Sequence, residues 1–138
     1  MSEINVVLHA TGRLVVGRIV SMKTRAEAVP YCDAFRRAVR GLDAKAVIFA
    51  DYRQVSVFAP DVADELQALM KDMNPHVERS AIIVAPEHST HQLQVERVVR
   101  EAHLSSRRRF SNVEEACRWL GEVLSEPERH ELDQFAKS

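Results

Sequence analysis

The chain has 138 residues, 46% hydrophobic and 28% charged, with 19 basic and 20 acidic side chains for a formal net charge of −1. That length closes one hydrophobic core but not two, and that composition excludes a disordered chain and any long-range pull toward nucleic acid or an anionic membrane. Met1-Ser2-Glu3 lacks the basic and apolar stretches of a leader, and no apolar run approaches the ~20 residues that span a bilayer, so one cytoplasmic domain without membrane insertion is expected.

Along the chain, Ile4, Val6 and Leu8 alternate with Asn5 and His9, and after Ala10-Thr11-Gly12 a second β-rich run extends from Arg13 to Val20. The pattern predicts a β-hairpin. Thr24 and Glu27 match a capping box, and Ala28, Tyr31, Cys32, Phe35, Val39 and Leu42 recur at helical spacing toward Gly41. Pro30 must sit in the early turns of that helix or delay its start. Ala46 to Ala50 is a continuous apolar run closed by Asp51, the pattern of a strand covered on both faces.

Pro60, Asp61, Asp64 and Glu65 suit a helix first turn, with Val62, Leu66, Leu69, Met70 and Met73 as its buried stripe and Asn74-Pro75 as its stop. Ala81 to Ala85 repeats the buried-strand pattern. Val95, Val98, Val99 and Ala102 then mark a helix that Ser89 or Thr90 could cap. Arg107-Arg108-Arg109-Phe110 reads as a charged edge strand. Ser111 with Glu114 predicts a capping box before Val113, Ala116, Cys117, Leu120, Val123 and Leu124. Residues 125–138 are strongly charged but carry Leu132 and Phe135 at helical spacing, which leaves a short terminal helix or a frayed tail.

The element order is β-β-α-β-α-β-α-β-α. Right-handed crossovers make this an α/β fold with a four- to five-stranded, mostly parallel sheet, an N-terminal β-hairpin and flanking helices, all in one domain over residues 1–124. Cys32 and Cys117, the only cysteines, fall on apolar helix stripes and read as reduced packing residues.

From the strand Ala46 to Asp51, its following loop, and the ending Arg109-Phe110, Glu114-Glu115-Ala116 and Trp119-Leu120, the chain resembles the STAS-like superfamily of anti-sigma-factor-antagonist-like domains. The resemblance covers the element order from Ile4 to Leu124. It implies a regulatory domain that docks on another protein and has no catalytic residues of its own. In the phosphorylated branch of that superfamily an Asp-Ser pair opens the helix after the central strand; Ala59 and Pro60 stand there instead, and Ser56 is the one serine of that loop that could take a phosphate. The CRAL-TRIO domains, of similar topology, bind lipids.

Asp51 to Phe58 leaves the carboxyl end of a central strand, where open α/β sheets present ligands and partners. Asp51, Tyr52, Arg53, Ser56 and Phe58 are therefore the expected partner-binding residues, Tyr and Arg being types enriched at binding hot spots. The competing reading packs Phe58 and Val55 under the loop and uses Asp51 to cap local amides. Among six histidines, His88 and His91 lie three apart near a helix start, yet no third ligand is evident, so no metal is expected; His9, His76, His103 and His130 read as surface residues.

No Gly-x-Ser-x-Gly elbow occurs, and Gly12, Gly17, Gly41 and Gly121 are too scattered to cradle a nucleotide. No catalytic or cofactor-binding residue is assigned. Arg97, Arg100, Arg107, Arg108 and Arg109 form a basic cluster offset by Glu96 and Glu101; without interleaved aromatics it reads as a solvated face rather than a nucleic-acid site.

The leading expectation is a non-enzymatic domain that binds a protein partner through this loop, with a homodimer as a further option. The first alternative is a small apolar-ligand or lipid carrier with a pocket lined by Met70 and Met73. The second is an enzyme in which Asp51, Arg53 and a histidine converge at the same strand end.

Overall fold

A computed structural model describes residues 5–138. Ile4, expected to open the first strand, lies outside them. One five-stranded sheet, in the order β1-β2-β3-β4-β5, consists of β1 (Val6–Thr11), β2 (Leu14–Arg18), β3 (Ala46–Asp51), β4 (Val77–Ile83) and β5 (Arg107–Phe110). β1 and β2 form the antiparallel hairpin, and every later neighbouring pair is parallel. Gly12 makes the hairpin turn at φ 52°, a left-handed conformation that costs glycine little.

Helices α1 (Arg25–Arg40), α2 (Pro60–Met73) and α3 (Ser89–Glu101) connect successive parallel strands. Right-handed crossovers that all step in one direction put their helices on one face of the sheet. The first core forms there, with Cys32, Phe35, Leu66, Met70 and Val95 against Val15, Ile48 and Ile82. Helices α4 (Val113–Gly121) and α5 (Glu126–Lys137) follow the last strand and cover the other face. The alternate strand residues Leu14, Val16, Val47, Phe49, Ala81 and Ile83 meet Leu120 and Leu132 there in a second core.

The 14-residue C-terminal segment is therefore a helix and not a tail, with Leu132 and Ala136 buried. It is held at its start by a Ser125–Glu128 capping box, and the buried Glu128 also accepts the Arg13 backbone N–H at 2.6 Å.

Several boundaries differ from the sequence reading for identifiable reasons. β4 starts at Val77, four residues before the apolar run, because Glu78 and Arg79 find partners. Glu78 pairs with Arg13, while Arg79 lies 4.9 Å from the Trp119 ring centroid and donates to the Trp119 carbonyl at 2.6 Å. The α3 N-cap is His88, with no side-chain cap bond, rather than Ser89 or Thr90. The α4 cap is Asn112, which accepts from the Glu115 N–H, rather than Ser111; the Ser111 hydroxyl is taken by Arg109. Pro30 lies inside α1, which starts at Arg25 through the Thr24–Glu27 capping box.

Gly17 of β2 carries the close approach of α1 to the sheet. A Cβ at this position would run into the Phe35 ring and the Tyr31 hydroxyl, both buried. Gly17→Ala is expected to cost about 1–3 kcal/mol, read as a lower denaturation midpoint in urea with an unchanged m-value; a midpoint equal to wild type contradicts this packing.

Candidate functional site

The site begins with strand alternation. Leu14 and Val16 face the α4/α5 side, so Arg18 does too; Val47 and Phe49 face it, so Asp51 does as well. The parallel register then places Arg18 beside Asp51 at the carboxyl ends of β2 and β3. Asp51 is 2% exposed, and its carboxylate is fully engaged. Oδ2 accepts from Arg18 Nε at 3.0 Å and from Arg53 Nη2 at 2.9 Å, while Oδ1 accepts from the Arg53 backbone N–H at 3.0 Å and from its Nε at 2.9 Å.

Both guanidiniums continue outward to α5. Arg18 donates to the Phe135 carbonyl at 2.9 Å and Arg53 to the Ala136 carbonyl at 3.1 Å, while the Arg18 guanidinium lies 4.4 Å from the Phe135 ring centroid. Cations on the last carbonyls of a helix satisfy groups with no intrahelical partner and oppose the negative end of its dipole. Burial works against ionising Asp51, but the hydrogen bonds from Arg53 and Arg18 outweigh it and hold the carboxyl below its ordinary value.

Between α4 and α5 the same strand ends open into a cleft of about 1010 Å³. Asp51, Arg53 and Gln54 line it at the strand ends, with Cys117 on α4 and Leu132 and Ala136 on α5. No histidine lines it. Burial pushes the Cys117 thiol up to about 11, so it is protonated near neutrality and a poor nucleophile. Asp51 is committed to its two arginines, and Arg53 is the partner that holds it.

The loop after β3 carries most of the residues expected to contact a partner, and it turns their rings inward. Continuing the alternation of Ile48 and Ala50, Tyr52 points into the first core at 3% exposure, and Phe58 joins it at 4%. Their rings meet edge to face with centroids 5.4 Å apart. His91 of α3 closes the cluster, 4.8 Å from Phe58 and 6.3 Å from Tyr52. Val55 is buried beneath the turn, and Asp51 accepts the Arg53 amide, so the inward-packing reading describes this loop. Of the five residues named from sequence, Asp51, Tyr52 and Phe58 are interior, Arg53 is one-third exposed through its side chain and Ser56 is exposed.

His91 is a core histidine at 0% exposure. The Val55 backbone approaches its ring without hydrogen-bond geometry, and neither ring nitrogen has a partner. Burial, with His88 adding to it, pushes its pKa down to about 4. Arg107 also departs from expectation: it is buried, with guanidinium bonds to Asn74 and to the Met70 carbonyl at the end of α2. The rest of the basic cluster is partly neutralised, Arg97 by Glu101 and Arg109 by Glu96, while Arg108 lies over Trp119. Beside Met70 and Met73 the interior holds a cavity of about 20 Å³, room for about one water and far below the roughly 300 Å³ of a ligand pocket.

What remains outside forms a corner that the sequence reading missed. Gln94 of α3 clamps the loop by accepting the Phe58 N–H at 2.9 Å and donating to the Phe58 carbonyl at 2.8 Å. The residues next to that clamp, Val57 and Leu93, are 53% and 69% exposed. Leu93 stands off the Val95–Val98 stripe, which is the sequence signal that could have found it. No helix among the described residues is long and apolar enough to cross a membrane. Comparison with known proteins finds no family model, no curated protein and no solved structure that matches this chain.

Two substitutions test this construction. Asp51→Asn leaves Arg18 and Arg53 without their anion and is expected to cost about 3–5 kcal/mol near neutral pH. Because the folded-state pKa is lowered, wild type keeps this contribution above about pH 3.9 and loses it on further acidification, so the two unfolding curves should converge in acid; curves that stay parallel contradict the assignment. His91 has the opposite charge type but the same direction. It stays neutral in the folded state while the unfolded chain binds a proton below about 6.5, so wild-type stability should fall as the pH drops from there toward about 4. His91→Leu should lack that fall and be at least as stable at pH 5, and a steeper loss in the variant contradicts it.

Proposed function

We propose that this protein is a non-catalytic binding domain that docks on a partner protein through the corner made by Ser56-Val57 and Leu93, with Arg53 and Gln54 extending the surface to the α4/α5 cleft. One observation carries the reading: two of the four large hydrophobic side chains that stand exposed among the described residues, Val57 and Leu93, flank a single pair of hydrogen bonds. They sit at the carboxyl ends of parallel strands, the usual place for ligands and partners on such sheets. Apolar side chains held in place lose little freedom on binding, and an apolar centre with a polar rim is the usual anatomy of a docking patch.

The chemistry of the cleft supports binding over catalysis. Of the three carboxylate side chains that line it, Asp51 is sealed by two guanidiniums while Glu114 and Asp133 stand apart from it on α4 and α5; the thiol is protonated, and no histidine lines the cleft. The resemblance to the STAS-like superfamily, which rests on element order, points the same way. Ser56, exposed beside Val57, is where a phosphate would place charge directly on the apolar patch and weaken docking. Two unbridged cysteines suit the reducing cytoplasm as the setting.

The test is partner capture from native extract with wild type and the double variant Val57→Asp/Leu93→Asp. Both side chains are exposed, so stability should change by no more than about 0.5 kcal/mol per site, whereas capture should fall by about tenfold or more. Equal capture by a folded double variant overturns this surface as the docking site.

A further inference from the structure

The two ends of the sheet are built in opposite ways. β5, at one end, is four residues long and carries Arg107, Arg108 and Arg109. Arg107 is buried and Arg109 pairs with Glu96, but the exposed Arg108 would meet its own copy in a pairing centred on it, and a charge on an edge strand is a usual device against pairing. β1, at the other end, runs six residues as Val-Val-Leu-His-Ala-Thr with no carboxylate, lysine or arginine. Leu8, in its middle, is 51% exposed, and His9 beside it is exposed as well. An uncharged edge with an exposed leucine at its centre lacks the guard that the same protein places on its other edge.

We propose that β1 is a self-association edge, through which two copies of this chain pair antiparallel about a two-fold axis and continue the sheet from one protomer into the next. With the axis at Leu8, Leu8 faces its own copy, Val7 faces His9, and Val6 faces Ala10. No like charges meet, and the exposed leucine is covered by the apolar neighbour it needs. Such an interface is self-complementary by construction, which a two-fold dimer requires. The irregularity in the β1–β2 register between His9 and Thr11 bends the strand and ends the pairing there.

Two helices flank β1, α1 on one face and α5 on the other, and α1 presents small side chains toward this edge. On α1, Cys32 and Arg36 mark the side toward α2, through Cys32 to the Glu65 carbonyl and Arg36 to Asp72. Helical geometry puts Ala34 and Ala38, both half-buried, on the opposite flank, and the strand order makes that flank the one toward β1. Small side chains let two copies of α1 approach above a shared sheet.

Sedimentation equilibrium of the full chain tests the proposal. Wild type should show a dimer that dissociates on dilution, and Leu8→Lys, which sets two cations across the axis, should weaken association by about tenfold or more. Val57→Asp/Leu93→Asp should dimerise like wild type, which separates this edge from the proposed docking corner. A wild type that stays monomeric at every concentration overturns the proposal, as does a dimer that a folded Leu8→Lys leaves intact. Should that variant fail to fold, amide exchange in wild type decides: protection of β1 that rises with protein concentration supports the edge, and protection independent of concentration overturns it.

Discussion

A carboxylate withdrawn from water is unstable unless opposite charge and hydrogen bonds replace its hydration, and in this protein the requirement is met by two arginines that arrive from different directions. Arg18 comes from β2, Arg53 from the loop after β3, and both reach the final carbonyls of α5. Asp51 thus joins the middle of the sheet, the proposed docking loop and the C-terminal helix at one point. None of the three is independent of the others, since removing the anion leaves two cations facing each other at the strand ends. The arrangement also accounts for a polar strand end next to the apolar Val16 and Phe49 of the same face.

The loop is held from its other side by the aromatic cluster. Tyr52, Phe58 and His91 fill the top of the first core, and Gln94 takes up the backbone groups of Phe58. With an ion cluster at one end and rings at the other, the intervening residues have little freedom, and Ser56 and Val57 are left facing solvent. A surface fixed in this way avoids much of the ordering entropy that a mobile loop would lose on binding. The histidine in this cluster is a packing residue whose ring nitrogens lack partners, which ties the cluster to pH through the unfolded chain rather than through any proton it handles in the folded one.

The sheet and its crossovers were legible because their signals are local: Ala46 to Asp51 is a strand to the residue, Pro60 opens α2, and Thr24 with Glu27 caps α1. The charged half of β4 was not, since Arg79 becomes a strand residue only once Trp119 lies beside it, some forty positions later. For the same reason Arg107 looked like a solvated edge charge until the last turn of α2 presented the Met70 carbonyl to it. Within the candidate site, alternation already placed Tyr52 with Ile48 and Ala50 on an inner face, and Arg18 and Asp51 with Val16 and Phe49 on the other. Their meeting depended on the β2–β3 register, and the placing of Val57 near Leu93 on the hydrogen bonds between Phe58 and Gln94 of α3; neither is written in any window of sequence.

Asp51 joins the loop after β3 and the end of α5 into one unit while the distant core stands apart. Native-state amide exchange on Asp51→Asn tests this joining most directly. Protection should drop together in the loop after β3 and in the last turn of α5, with α1 and α2 changing less. A loss confined to one of those two segments, or spread evenly over the whole chain, would contradict the account.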